Sequence, residues 1–144
     1  MNAQIARRES GSAVIEFVML TVVVIVPLFY IVMAVFHVQR ASFGVTAASV
    51  AGARAFVQAD SLGSAERQWE TAAKLTLADH GVAESQITRR CEPQCFVPGS
   101  IVEVRIVTQQ PLPLAPRIFG DALTSVTVES VHREPFGRYR ADGA

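Results

Sequence analysis

The chain has 144 residues, half of them apolar, and its 13 basic and 13 acidic side chains leave no net formal charge. That balance gives no electrostatic case for nucleic-acid binding, and the length allows one small domain plus an appendage. The apolar excess sits in one stretch near the start, and the second half reads as ordinary soluble sequence.

Residues 1–11 are short, polar and charged. They lead into "FVMLTVVVIVPLFYIVMAVF", residues 17–36, interrupted only by Thr21 and Pro27. A bilayer core needs about 20 apolar residues in a helix, and this run meets that length. A cleavable secretory signal has a shorter core of about 7–15 residues followed closely by a small-x-small site. The length therefore favours a retained membrane helix. Pro27 removes one helical hydrogen bond and is expected to kink it, which membrane helices tolerate. Arg7 and Arg8 precede the run and Arg40 and Arg54 follow it, so charge alone does not choose an orientation.

Helical character is expected to continue through "QRASFGVTAASVAGARAFVQA", which lacks proline and is rich in alanine. Gly44, Ala48 and Gly52 recur every four residues, as do Ala47, Ala51 and Ala55. Such stripes let another backbone approach closely; alanine's helix propensity accounts for them equally well. "DSLG" at positions 60–63 breaks the pattern, and Ser64 can cap a second helix running to about Asp79. Ala65, Trp69, Ala73 and Leu77 share one face of it, so that face is expected to be buried with Trp69 as its anchor. Gly81 suits the helix exit.

The remainder has strand character. "VAESQITR" from Val82 is a weak candidate. "IVEVRIVTQ" from Ile101 is stronger, with Val102, Val104 and Ile106 on one face and Glu103 and Arg105 opposite. "TSVTVESVHR" from Thr124 alternates around Val126 and Val128, and the change of face at Val131 predicts a bulge or twist near Ser130. The connector "PLPLAPRIFGDA" is expected to be irregular and the tail "REPFGRYRADGA" loosely ordered. The fold class is α+β: a long N-terminal transmembrane helix, a short second helix and a small antiparallel sheet.

The sequence holds no phosphate loop, nucleophile elbow or HExxH motif. His37, His80 and His132 are scattered, so neither an enzyme, a cofactor nor a metal site is indicated. The two cysteines stand as "CEPQC", Cys91 and Cys95. Zinc sites often use C-x2-C spacing with four ligands, and redox pairs of the thioredoxin type also have two intervening residues. Three intervening residues including a proline favour a small disulfide-closed loop over free thiols or a metal site, given an oxidising compartment.

The sharpest motif is "GSAVIEF", residues 11–17. Glycine, four residues, then Glu-aromatic and a long apolar helix resembles the type IV prepilin signal, most closely its Flp/Tad form. "QRASFGVTAASVAGARAF" looks like the alanine-rich region of TadE-like pseudopilins, and the resemblance covers roughly residues 10–56. It implies a pilin-like layout: a cytoplasmic leader at 1–11, a transmembrane helix with its Ala/Gly-rich extension at 12–58, and a small extracytoplasmic domain at 59–144. It implies cleavage between Gly11 and Ser12 by a membrane prepilin peptidase, for which this chain is a substrate. Glu16, followed by Phe17, would pair with an N-terminal amine during assembly. A single-pass inner-membrane location follows, with membrane lipid, other Tad pilins or pseudopilins and the assembly platform as partners. The alternative is a membrane-anchored binding module of another envelope or secretion system that carries the motif by chance.

Overall fold

A computed structural model describes residues 6–113 and 124–137. Residues 1–5 of the expected leader, most of the proline-rich connector and the tail beyond residue 137 lie outside the described residues. The chain divides into two compact units, Met1–Phe36 and His37–Ala144. Helix α1, Ala6–Gln58, contributes to both and contains Pro27.

Over residues 17–36 α1 is apolar on every side. Its β-branched run "VVVIV" is a mediocre helix former in water. Where no solvent can satisfy backbone polar groups, however, a helix closes all of its bonds internally. The hydroxyl of Thr21 donates to the Phe17 carbonyl at 2.8 Å, so this polar side chain is satisfied locally.

In the second unit α1 turns one stripe inward. Ala41, Val45, Ala48, Ser49, Ala53 and Phe56 are buried, at the three- and four-residue spacing of a core-facing helix. Full burial of a phenylalanine such as Phe56 contributes about 1.5–3 kcal/mol.

Helix α2 spans Leu62–Asp79 and buries Ala65, Trp69, Ala73 and Leu77, the face expected from their spacing. Its N-cap is Ser61 rather than Ser64. The Ser61 hydroxyl accepts from the Ser64 amide at 3.3 Å, and the Ser64 hydroxyl accepts from the Ser61 amide at 3.1 Å. Ser64 is thus the return arm of a capping box that satisfies two otherwise orphaned donors. At the other end the Gly81 amide donates to Ala78 and the Val82 amide to Leu77, both at 2.9 Å. This is a Schellman closure. It requires a left-handed residue, and Gly81 supplies it at φ 70°. Val82 therefore belongs to the helix exit rather than to a strand.

Three antiparallel strands follow: β1 (Ser85–Glu92), β2 (Ile101–Pro111) and β3 (Ser125–Pro135), in spatial order β1-β2-β3. Central strand β2 buries Val102, Val104, Ile106 and Thr108 and completes the core with both helices. The outer face carries the ion pairs Arg133–Glu103 at 2.7 Å and Arg105–Glu129 at 2.9 Å. The Glu103 carboxylate, by hydrogen bond and charge, raises the Arg133 guanidinium above its ordinary value.

The predicted bulge near Ser130 is absent. Pairing runs one-to-one from Ile101↔Pro135 to Pro111↔Ser125. Val131 is simply an outward residue, while Ser130 faces in and its hydroxyl meets that of Ser49 on α1 at 3.1 Å. Pro111, expected in the irregular connector, still pairs at the end of β2.

Candidate functional site

Gly11 and Ser12 lie in helical backbone of α1. Ser12, Glu16 and Phe17 are exposed, and Glu16 and Phe17 stand at the start of the apolar run. From residue 17 to residue 36 an α-helix rises about 30 Å, the thickness of a bilayer's hydrocarbon core. The helix is long and apolar enough to cross a membrane by length and composition, and no residue of its apolar window is buried among the described residues. An apolar sleeve of this size, left bare by the described residues, calls for an apolar surrounding.

The small residues Gly44, Ala48 and Gly52 face α2 and the sheet of their own domain. A Cβ built on Gly44 would stand 2.8 Å from His80 Cβ, and one on Gly52 would stand 3.2 Å from the Trp69 carbonyl oxygen and 3.3 Å from Ala73 Cβ. Ala48 between them is fully buried. The stripe thus sets how closely α1 and α2 approach within the chain.

Cys91 and Cys95 form a disulfide with their Cα atoms 5.0 Å apart, at the end of β1. Beside it is a cluster that sequence reasoning missed. Arg89 points inward from β1 with its side chain only 16% exposed and forms an ion pair with Glu66 of α2 through Nη2. Its other terminal nitrogen, Nη1, donates toward Cys91 Sγ at 3.0 Å and Cys95 Sγ at 2.6 Å. The guanidinium carbon lies 4.6 Å from the Phe56 ring centroid and 5.8 Å from that of Trp69. Trp69 Nε1 in turn donates to Glu66 at 3.3 Å. A buried cation is costly unless paired; here a carboxylate and two ring faces surround it. One signal was available: alternation in "ITRRC" puts Arg89 on the same side as Ile87 and Cys91, an arginine where an apolar residue would be usual.

Phe96, at φ 64°, closes the loop after the disulfide. Its ring packs 4.8 Å from that of Phe136 and 6.2 Å from that of Phe56, between centroids. A shallow open groove of about 510 Å³ runs past Lys74, Leu77, Val82, Ser85 and Ile87, and no set of acid, base and nucleophile converges on these residues. His80 Nδ1 donates to the Thr76 carbonyl at 2.9 Å, and His132 pairs with Glu134 at 2.9 Å. Among the described residues no three His, Cys, Asp or Glu side chains gather where a metal could be held.

No family model, curated protein or solved structure matches this chain.

Proposed function

We propose that the chain is a TadE-like pseudopilin, a structural component of tight-adherence pilus assembly, cut by a prepilin peptidase between Gly11 and Ser12. The observation that carries this reading is positional: Gly11, Glu16 and Phe17 stand in prepilin spacing at the mouth of an apolar run, and that run has no cover among the described residues. In this reading residues 1–11 face the cytoplasm and the folded domain lies outside the inner membrane.

The chemistry follows from charge. Cleavage creates an amine at Ser12, at a helix N-terminus that already bears partial positive charge. The Glu16 carboxylate, one turn on, offsets it, either within the chain or on a neighbour. An unpaired carboxylate inside the bilayer costs about 3 kcal/mol, so a subunit leaving the membrane gains by meeting an amine in the correct register. Folding of the outer domain is separate from this, because its small-residue stripe is used internally.

Co-expression with a prepilin peptidase, followed by intact-mass measurement, tests the reading. The mature chain should begin at Ser12, and Gly11→Trp should leave it uncut. A full-length chain in the presence of active peptidase overturns the proposal in favour of an anchored binding module. Glu16→Ala should be cleaved normally yet incorporated poorly into pili, as scored by immunoblot of sheared filaments.

A further inference from the structure

We propose that Cys91–Cys95 is a thiol–disulfide exchange site activated by Arg89, and that the partner it takes is a dithiol. The proposal is independent of the pilus reading, since it rests only on the outer domain.

The Arg89 guanidinium is divided between two tasks. Nη2 is held by Glu66, and the plane is set by the Phe56 and Trp69 rings. Those contacts aim Nη1 at the two sulfurs. A disulfide sulfur is a weak acceptor and gains little from the contact. A thiolate gains much more, because a fixed cation beside it favours the charged form. The arrangement therefore stabilises the reduced state relative to the oxidised one, and such stabilisation makes a disulfide a stronger oxidant. The five-residue loop alone carries no such bias. Nε of Arg89 is buried without a hydrogen-bond partner among the described residues, which marks a guanidinium held in place despite an unfilled donor.

The two contacts also assign the direction of attack. Nη1 lies nearer Cys95 Sγ than Cys91 Sγ, so Cys95 is the better leaving group. One thiol of the dithiol loses its proton and attacks Cys91 Sγ. The bond between the two protein sulfurs breaks, and its electron pair leaves on Cys95 as a thiolate facing Arg89. The second thiol of the partner then attacks its own sulfur in the mixed disulfide and passes its proton to Cys91. The dithiol ends as a disulfide, the protein as one thiol and one thiolate, and one proton goes to solvent. Glu92, Pro93 and Gln94 between the cysteines are exposed and Cys91 and Cys95 themselves half-buried against the core, so such a partner approaches over the loop.

The test uses the full chain in detergent, equilibrated with oxidised and reduced dithiothreitol at pH 7, with thiols counted by alkylation and mass spectrometry. Arg89→Gln should shift the equilibrium at least about tenfold toward the disulfide, or about 30 mV for a two-electron couple, while Arg89→Lys should retain much of the wild-type value. In Cys91→Ser, alkylation of Cys95 should reach half its maximal rate at least about one pH unit below the ordinary 8.5. This second readout decides the matter if Arg89→Gln does not fold. Equal equilibria for wild type and Arg89→Gln, or an ordinary pH profile for Cys95, overturns the proposal.

Discussion

Helix α1 passes through two environments, and its sequence changes character between them. In the first unit it carries Val, Ile, Leu, Met and Phe on every side, and Phe29 is 66% exposed. In the second its inward stripe is Ala, Gly and Ser with occasional large residues, and Phe56 is fully buried. Both regions are apolar, but only the second is periodic. A helix that is apolar all round asks for an apolar surrounding, whereas one with an apolar stripe asks for a partner element. Among the described residues the chain provides partners for the stripe, in α2 and the sheet, and none for the sleeve. Mean hydropathy is high over the sleeve, while in the second unit Arg40, Arg54 and Gln58 interrupt the helix and small residues gather on its inward face.

The comparison is tested most severely by truncating one phenylalanine in each region. Phe56→Ala should cost the second unit about 3–5 kcal/mol, the usual range for a buried aromatic. Phe29→Ala should leave that stability within about 0.5 kcal/mol, as exposed substitutions do. Trp69 is the only tryptophan in the chain and is 9% exposed beside the Phe56 cluster, so urea unfolding followed by its fluorescence reads both variants. Equal losses would mean that the two regions fold as one.

A charge in the sleeve probes the other side of the comparison. Val24→Arg places a guanidinium in mid-run, at a cost of about 2.5–3.5 kcal/mol for entering a bilayer. Carbonate-resistant membrane association should fall strongly, while Trp69-monitored unfolding of the second unit should not change. Retained association would show that the sleeve is not what holds the chain to membranes.

These contrasts also show what can be read from residues alone. The α2 face was legible because Ala65, Trp69, Ala73 and Leu77 repeat at one spacing, and β2 because its alternation is unbroken. The cap was not, because Ser61 and Ser64 are chemically the same and each serves the other; which one stands outside the helix is settled by backbone geometry. The bulge was inferred from Val131 on the rule that valine points inward. The rule failed where Ser130 found Ser49, an inward partner 81 positions away. Arg89 escaped notice for the same reason: Glu66 and the Phe56 and Trp69 rings are distant in sequence, so the compensation for a buried charge appears only after folding. The prepilin-like spacing around Gly11 and Glu16 is wholly local, which is why that feature was the easiest to see.

The smallest expected effect concerns how tightly the stripe fits. Alanine is a better helix former than glycine by about 1 kcal/mol, so Gly→Ala inside a helix stabilises wherever there is room. Gly63, near the start of α2, has room: an added Cβ would meet only Arg67 Nη1, at 3.9 Å. Gly44 has none, because the added Cβ would lie 2.8 Å from His80 Cβ, an atom next to the backbone that cannot swing aside. Overpacking of this kind costs about 1–3 kcal/mol, which exceeds the propensity gain over most of its range. Gly63→Ala should therefore raise the unfolding free energy measured in urea slightly and Gly44→Ala should lower it, by up to about 2 kcal/mol after the propensity gain is subtracted. A rise in both would mean that α1 and α2 can separate without loss, and that the stripe reflects alanine's helix preference instead of a packed face.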